Sequence, residues 1–287
     1  MLRRSSNVTV GLTAASALVT CALAAPPASG APVSTVSTAG TTVLSFPFTS
    51  PGGTITAPSN LGTASVTSSV VTQNGGSAQA VTGLTGAGQA MRLPTYAATT
   101  PKVAVVKVAD DATSGADPLN PGAGTFTWQA DFTQDTQLGT DARDGDNIVQ
   151  RGLTSAKAGN TMWKLQADHH IVQCGLQTLT MTADLLTPGI TIPIAAGAAQ
   201  SEWFRATCTR RAGATPTLTA TVTRWSAATS SWVAFDSQTV GGAAGSLKMK
   251  IGVPVSIGGK LDTDGIGLNN TPDQFNGVVD NVRLTLG

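Results

Sequence analysis

The sequence of 287 residues is short of the groups that carry acid–base chemistry. It holds one glutamate (Glu202), one tyrosine (Tyr96) and two histidines (His169 and His170), and only 11% of it is charged. Each shortage excludes something. A glutamate pair flanking a glycosidic bond cannot be built from one Glu. Asp144 and Asp146 would share a strand face, but Asp141-Ala142-Arg143-Asp144-Gly145-Asp146-Asn147 reads as a polar turn. A Ser-His-Asp triad needs a histidine beside an activated serine, and the chain has no Gly-x-Ser-x-Gly elbow. Adjacent histidines on a strand point opposite ways, which suits a surface turn before Ile171-Val172 better than a shared metal. Gly83, Gly86 and Gly88 lack the third glycine and the helix of a phosphate-cradling loop.

Charge of one sign is missing too. Lys and Arg number 17 against 16 Asp and Glu, and without Arg3 and Arg4 the basic count is 15. A near-neutral chain with scattered charge has no surface that tracks phosphates, so nucleic acid is excluded as a partner.

Long apolar runs are absent except at the start. Arg3 and Arg4 precede Val8 to Leu23, an uncharged stretch interrupted by Thr9, Thr13, Ser16 and Thr20. Ala22-Leu23-Ala24-Ala25-Pro26-Pro27 and Gly30-Ala31-Pro32 follow. This is the layout of a secretory signal peptide, cleaved after Ala24 or Ala31. A spanning helix needs roughly 20 apolar residues, which the stretch does not reach. Leu18-Val19-Thr20-Cys21 has the outline of a lipobox, but Thr20 is too large for the position before a lipidated Cys. Arg3-Arg4 lacks the apolar residues of a twin-arginine signal. The reading is a leader and Pro/Ala-rich lead-in over 1–31, then one domain over 38–287, secreted, monomeric and without a membrane span. Of three cysteines only Cys174 and Cys208 outlast export, and an oxidising compartment predicts one disulfide between them.

What is abundant is threonine, valine and glycine in short alternating runs. Phe126, Trp128, Ala130 and Phe132 share one parity, and Thr127, Gln129 and Asp131 the other. Leu218, Ala220 and Val222 alternate with threonines, as Val282, Leu284 and Leu286 do with Asn281, Arg283 and Thr285. Period two predicts strands with one buried face. Pro51-Gly52-Gly53, Asn74-Gly75-Gly76, Asn120-Pro121-Gly122 and Gly241-Gly242 predict turns. The pattern is that of an all-β sandwich or barrel.

Five stretches also resemble a family. Leu119 to Trp128 looks like a glycine turn running into an aromatic strand. Asp146-Asn147-Ile148-Val149-Gln150-Arg151-Gly152 with Trp163-Lys164-Leu165-Gln166 looks like the next hairpin. Trp203-Phe204-Arg205-Ala206-Thr207-Cys208-Thr209-Arg210 resembles a Trp-His-x-Val-x-x-x-Arg strand, with Phe204 at the His position. Pro254 to Gly259 and Phe275-Asn276-Gly277-Val278-Val279-Asp280-Asn281-Val282-Arg283-Leu284 resemble an Ile-Gly-Gly turn and a closing Phe-x-Gly-x-x-Asp-x-Val-Arg-Ile strand. In this order they resemble laminin G-like, concanavalin A-like domains, well over Leu119 to Leu286 and more thinly from Thr41 to Thr100. The resemblance implies a two-sheet antiparallel jelly-roll sandwich. It implies that Cys174 and Cys208 lie on neighbouring strands, or on a strand and its loop. It leaves function open, because the architecture serves lectins, adhesion modules and glycanases.

Glucanases of this fold use a Glu-x-Asp-x-x-Glu strand, which is absent, and its lyases need a His and a Tyr in the cleft, whereas Tyr96 follows Pro94 in a loop-like stretch. Related domains often hold calcium near a rim loop. Here Asp262, Asp264, Asn270 and Asp273 stand at positions 1, 3, 9 and 12 of a window with Gly267 at position 6. Ile266 at position 5, Asp instead of Glu at 12 and the lack of flanking helices fit a polar hairpin loop better than a calcium loop. Sugar sites pair aromatic platforms with orienting polar groups. Trp128 is core by its alternation. Of Trp163, Trp203, Trp225 and Trp232, the last two lie by a hairpin tip among small polar residues and are the expected ligand contacts. The function expected is a secreted, non-catalytic module for a glycan or a cell-surface ligand. An adhesion protein with protein partners is the alternative, and a polysaccharide hydrolase or lyase follows behind it.

Overall fold

A computed structural model describes residues 40–49, 52–86, 88–111, 116–135, 146–152, 161–179, 186–192, 202–249, 252–262, 267–268 and 273–287. The leader and lead-in (1–31), Asp141, Asp144, Asp264 and Asn270 lie outside them. The described residues contain no helix. Their strands are β1 (Thr41–Phe46), β2 (Gly53–Ile55), β3 (Val66–Gln73), β4 (Ala78–Thr82), β5 (Gln89–Arg92), β6 (Val103–Asp110), β7 (Phe126–Gln134) and β8 (Asn147–Arg151). After them come β9 (Met162–Asp168), β10 (Ile171–Gln177), β11 (Gly189–Thr191), β12 (Phe204–Arg211), β13 (Thr217–Ser226), β14 (Ser231–Gly241), β15 (Val255–Ile257) and β16 (Gly277–Leu286).

These strands form two antiparallel sheets. One has nine strands, in the order β14-β13-β12-β7-β16-β5-β4-β2 with β1 also on β16, and the other has seven, β11-β10-β9-β8-β15-β6-β3. The chain crosses repeatedly between them, so each sheet is assembled from distant segments, as a jelly-roll sandwich requires. The alternation in the sequence sets the layering. Phe126, Trp128, Ala130 and Phe132 on β7 stand opposite Arg210, Cys208, Ala206 and Phe204 on β12, all turned inward. From the other sheet Trp163, Leu165 and Ala167 on β9 meet them, and Trp128 and Trp163 touch across the layers with ring centroids 5.7 Å apart.

Cys174 and Cys208 form the predicted disulfide. Its placement differs from what the resemblance implied. Cys174 is on β10 of the seven-stranded sheet and Cys208 on β12 of the nine-stranded sheet, so the bridge runs through the core between layers. Both cysteines have the parity of core residues, so their thiols meet across the interior.

Two arginines are buried in the sandwich. Arg210 donates from Nε to the Ala243 carbonyl (3.1 Å), from Nη1 to that of Gly124 (2.8 Å) and from Nη2 to that of Gly245 (2.5 Å). It thereby ties two glycine-rich loops to the end of β12. Arg151 binds Asp110 and Asp117 through Nη2 (3.2 and 2.9 Å) and the Val253 carbonyl through Nε (3.0 Å). Buried charge persists only when matched in this way.

Candidate ligand-binding face

Threonines line the outward side of the nine-stranded sheet, and hydroxyl pairs such as Thr219–Thr239 (2.9 Å) and Thr221–Ser237 (3.1 Å) cross between strands. Trp225 and Trp232 stand near the tip of the β13–β14 hairpin on this side. They are directly opposite in register, with ring centroids 5.4 Å apart and planes at 72°. Both are half-buried.

Trp225 faces outward by the alternation of β13, and a β-bulge in β14 puts Trp232 beside it. Val222 pairs with Asp236, but the next residue, Thr223, pairs with Ala234, so Phe235 is extra. Phe235 turns toward the core and meets Phe204 edge-on at 6.0 Å. Without the extra residue Trp232 would face Ser226 and point to the other side, since a one-residue slip inverts every side chain beyond it.

Arg205, outward on β12, gives the pair a charged neighbour. Its Cζ lies 4.5 Å from the centre of a Trp232 ring, within cation–π range. The guanidinium is held by Asp131 of β7 through two parallel bonds, Nε to Oδ1 at 2.6 Å and Nη2 to Oδ2 at 2.8 Å. A bidentate pair fixes orientation as well as charge.

Beyond Asp131 the network reaches β16. Asn281 sits in a bulge with φ of 48°, a left-handed conformation that asparagine tolerates. Its Nδ2 donates to Asp131 Oδ2 (3.0 Å) and Asp280 Oδ2 (3.2 Å). Asp280 stands opposite Asp131 in register. Burial pushes its carboxyl up to about 7, and the negative Asp131 adds to this. The Asn281 backbone N–H, Arg205 and Arg283 pull the other way.

Asp131 and Asp280 are two carboxylates facing each other across neighbouring strands, and spacing in sequence could not reveal them, since 149 positions separate them. Asp131 is unsuited to attack a substrate. It is 1% exposed, Arg205 bonds to both its oxygens, and Asn281 takes one of them again.

The other candidate residues fall elsewhere. Trp163 and Trp203 are buried and offer no platform. His169 and His170 form the two-residue turn between β9 and β10, both with positive φ, and His170 Nδ1 bonds to Gln134 Oε1 (3.0 Å). Burial, with His169 beside it, lowers the His170 pKa. Of the calcium window, Asp273 pairs with Lys260 Nζ (2.7 Å) and accepts from Asn147 Nδ2 (3.2 Å), while Asp262 Oδ1 accepts the Gly267 N–H (3.3 Å). An antiparallel bridge joins Leu261 to Leu268, and Leu261 covers Val103 and Val105. Among the described residues, no three His, Cys, Asp or Glu side chains gather in a way that could hold a metal.

No family model matches the chain, and no curated protein matches it. Solved structures do. The receptor-binding domain of botulinum neurotoxin type G aligns at 10% identity and a TM-score of 0.45, over 85% of this chain and 47% of that one. That of botulinum neurotoxin mosaic serotype C/D aligns at 9% and 0.48, over 85% and 47%. A family 7 alginate lyase, A1-II′, solved with substrate, aligns at 14% and 0.34, over 71% and 79%. The chain thus spans about half the length of the receptor-binding domains it matches. Likeness at this level says nothing about ligand or activity.

Proposed function

We propose that the chain is a secreted, non-catalytic binding module of the laminin G-like, concanavalin A-like kind. Its ligand is a carbohydrate or another cell-surface group, met by Trp225, Trp232 and Arg205. One observation carries this reading. A bulge in β14 turns Trp232 to the outward side beside Trp225, where Arg205 is already oriented by Asp131. Groups fixed before binding lose little freedom on binding, which favours affinity. Secretion is supported by the leader features and by a disulfide, which oxidising compartments preserve.

The test is a screen of plant, fungal and bacterial polysaccharides with the wild type and Trp232→Ala. Saturable binding that weakens by roughly ten- to hundredfold in the variant is expected, since central aromatic contacts are often worth 2 kcal/mol or more. Silence across the whole screen, or equal binding by both proteins, refutes the carbohydrate version. The threonine and serine ladder beside the pair favours a second reading, adhesion to a protein. That reading predicts association with the cell wall without affinity for sugar. Turnover of any polysaccharide that disappears in Asp280→Asn would overturn the non-catalytic reading.

A further inference from the structure

Three segments of the chain meet at one carboxylate beside the seven-stranded sheet. Asn147 opens β8, Lys260 follows β15 past Gly258-Gly259, and Asp273 precedes β16. β8 and β15 are antiparallel neighbours with Ile257 opposite Val149, so Asn147 and Lys260 lie at the same end of the sheet. Main-chain groups hold the third segment to both. The Asn147 N–H donates to the Asp273 carbonyl (2.9 Å), and the Phe275 N–H donates to the Gly258 carbonyl (3.0 Å). Gln274 Nε2 donates to that Gly258 carbonyl as well (2.7 Å).

On this frame an amine and an amide share one oxygen. Lys260 Nζ lies 2.7 Å from Asp273 Oδ2 and Asn147 Nδ2 lies 3.2 Å from it. The two nitrogens are therefore no more than about 6 Å apart. Asn147 is fully buried, and the Lys260 and Asp273 side chains are only 19% and 13% exposed. An ordinary surface pair is open, as Arg224 and Glu202 are at 47% and 42%. The buried amide is also half satisfied, because Asn147 Oδ1 has no donor. Such groups are rare in native proteins and each calls for a cause. Turning the amide sets Oδ1 against Asp273 Oδ2, a contact that a protonated carboxyl satisfies and a carboxylate does not. Lys164 faces the same carboxylate. Burial lowers its pKa, Asp273 raises it, Lys260 lowers it and Asp168 raises it.

We infer that Lys260 and Asn147 become joined by an isopeptide bond that the folded chain forms by itself, with Asp273 carrying the protons. Asp273 takes one proton from the Lys260 ammonium, and the freed lone pair attacks Asn147 Cγ. The C=O π pair moves to Oδ1, which Asp273 protonates. Asp273 then relays the Oδ1 proton and one from Nζ to Nδ2. The carbonyl re-forms, the Cγ–Nδ2 bond breaks, and Nδ2 leaves with the bonding pair as ammonium. One secondary amide, one ammonium ion and the Asp273 carboxylate result, so atoms and charge balance. Nothing is oxidised and no co-reactant is needed. A proton carrier must lie within about 2.6–3.2 Å of the groups it serves, and both contacts of Asp273 Oδ2 do. Segments already tied together by their main chains hold amine and amide for a unimolecular step. The bond is independent of Trp225 and Trp232 and of any ligand they meet.

Mass spectrometry of the full chain after reduction tests the inference. The wild type should weigh one ammonia molecule less than its residues sum to. Its tryptic digest should contain a branched peptide joining Asn147 to Lys260. Lys260→Arg keeps the ion pair with Asp273, and Asp273→Asn keeps the shape without a carboxyl to carry protons. Both should show full mass and no branched peptide, whereas Lys164→Arg should retain the bond. A wild type of full mass overturns the inference, since the three groups are then an ion pair with an amide beside it. Loss of ammonia without the branched peptide marks a succinimide at an asparagine and overturns it too. So does a branch that starts from Lys164, or one that persists in Asp273→Asn.

Discussion

Breaking the Cys174–Cys208 bridge removes the one disulfide cross-link between the layers among the described residues. The cysteines are 34 positions apart. In the chain-entropy account, closing a loop of that length costs the unfolded chain about 12.6 cal/mol/K, or about 3.8 kcal/mol at 25 °C. Two routes separate this term from packing. Reduction keeps both sulfur atoms in place, so the reduced wild type should lose about 3.8 kcal/mol relative to the oxidised protein. Cys174→Ala with Cys208→Ala also empties two fully buried positions, which should cost about 1 kcal/mol more at each. Guanidinium titration followed by tryptophan fluorescence is a suitable assay, because Trp128 stands opposite Cys208 in register and touches Trp163. The denaturant slope should steepen without the bridge, since an uncrosslinked chain exposes more surface on unfolding. A reduced protein within about 1 kcal/mol of the oxidised one, with an unchanged slope, would refute the reasoning.

Arg210→Met should destabilise by roughly 3 kcal/mol or more, because three carbonyls lose a charged donor at once. Thermal melting checks it, and a loss below about 1 kcal/mol would show that water replaces the guanidinium. Asp280 gives a dependence on pH. Its carboxyl rises from 3.8 to about 7 on folding, so between those values the folded state holds more protons than the unfolded state. The stability this group contributes is therefore fully present below pH 4 and is lost as pH rises through 7. Asp280→Asn should flatten that slope and leave the protein more stable than wild type at pH 8, as melting across pH 4–8 would show.

The fold was legible because alternation is a local property. Phe126 to Phe132 and Leu218 to Val222 bury the residues their parity predicts. Turn chemistry was legible, but its role was not. Asn74 and Gly75 both have positive φ, as in a tight hairpin, yet they carry the chain from β3 in one sheet to β4 in the other. Strand partners depend on burial summed over the whole sandwich, and a four-residue signal does not contain that sum.

The proposed ligand face was legible in part. Trp225 and Trp232 could be picked out by their polar neighbours near a hairpin tip. Arg205, Asp131 and Asp280 could not, since each is an ordinary outward residue of its own strand, and nothing in the local sequence marks the bulge that holds Asn281.

By itself, then, the sequence determined that this chain is all β, which side chains point inward, and that Cys174 and Cys208 are available to pair. Those properties follow from periodicity and residue chemistry within a few neighbouring positions. Only the tertiary structure decided that the disulfide joins the layers, that Phe235 is the extra residue that turns Trp232 outward, and that Asp131 faces Asp280. The physical reason is register. Residues become neighbours across a sheet through ladder hydrogen bonds between strands far apart in the chain, and a shift of one position would replace every such neighbour.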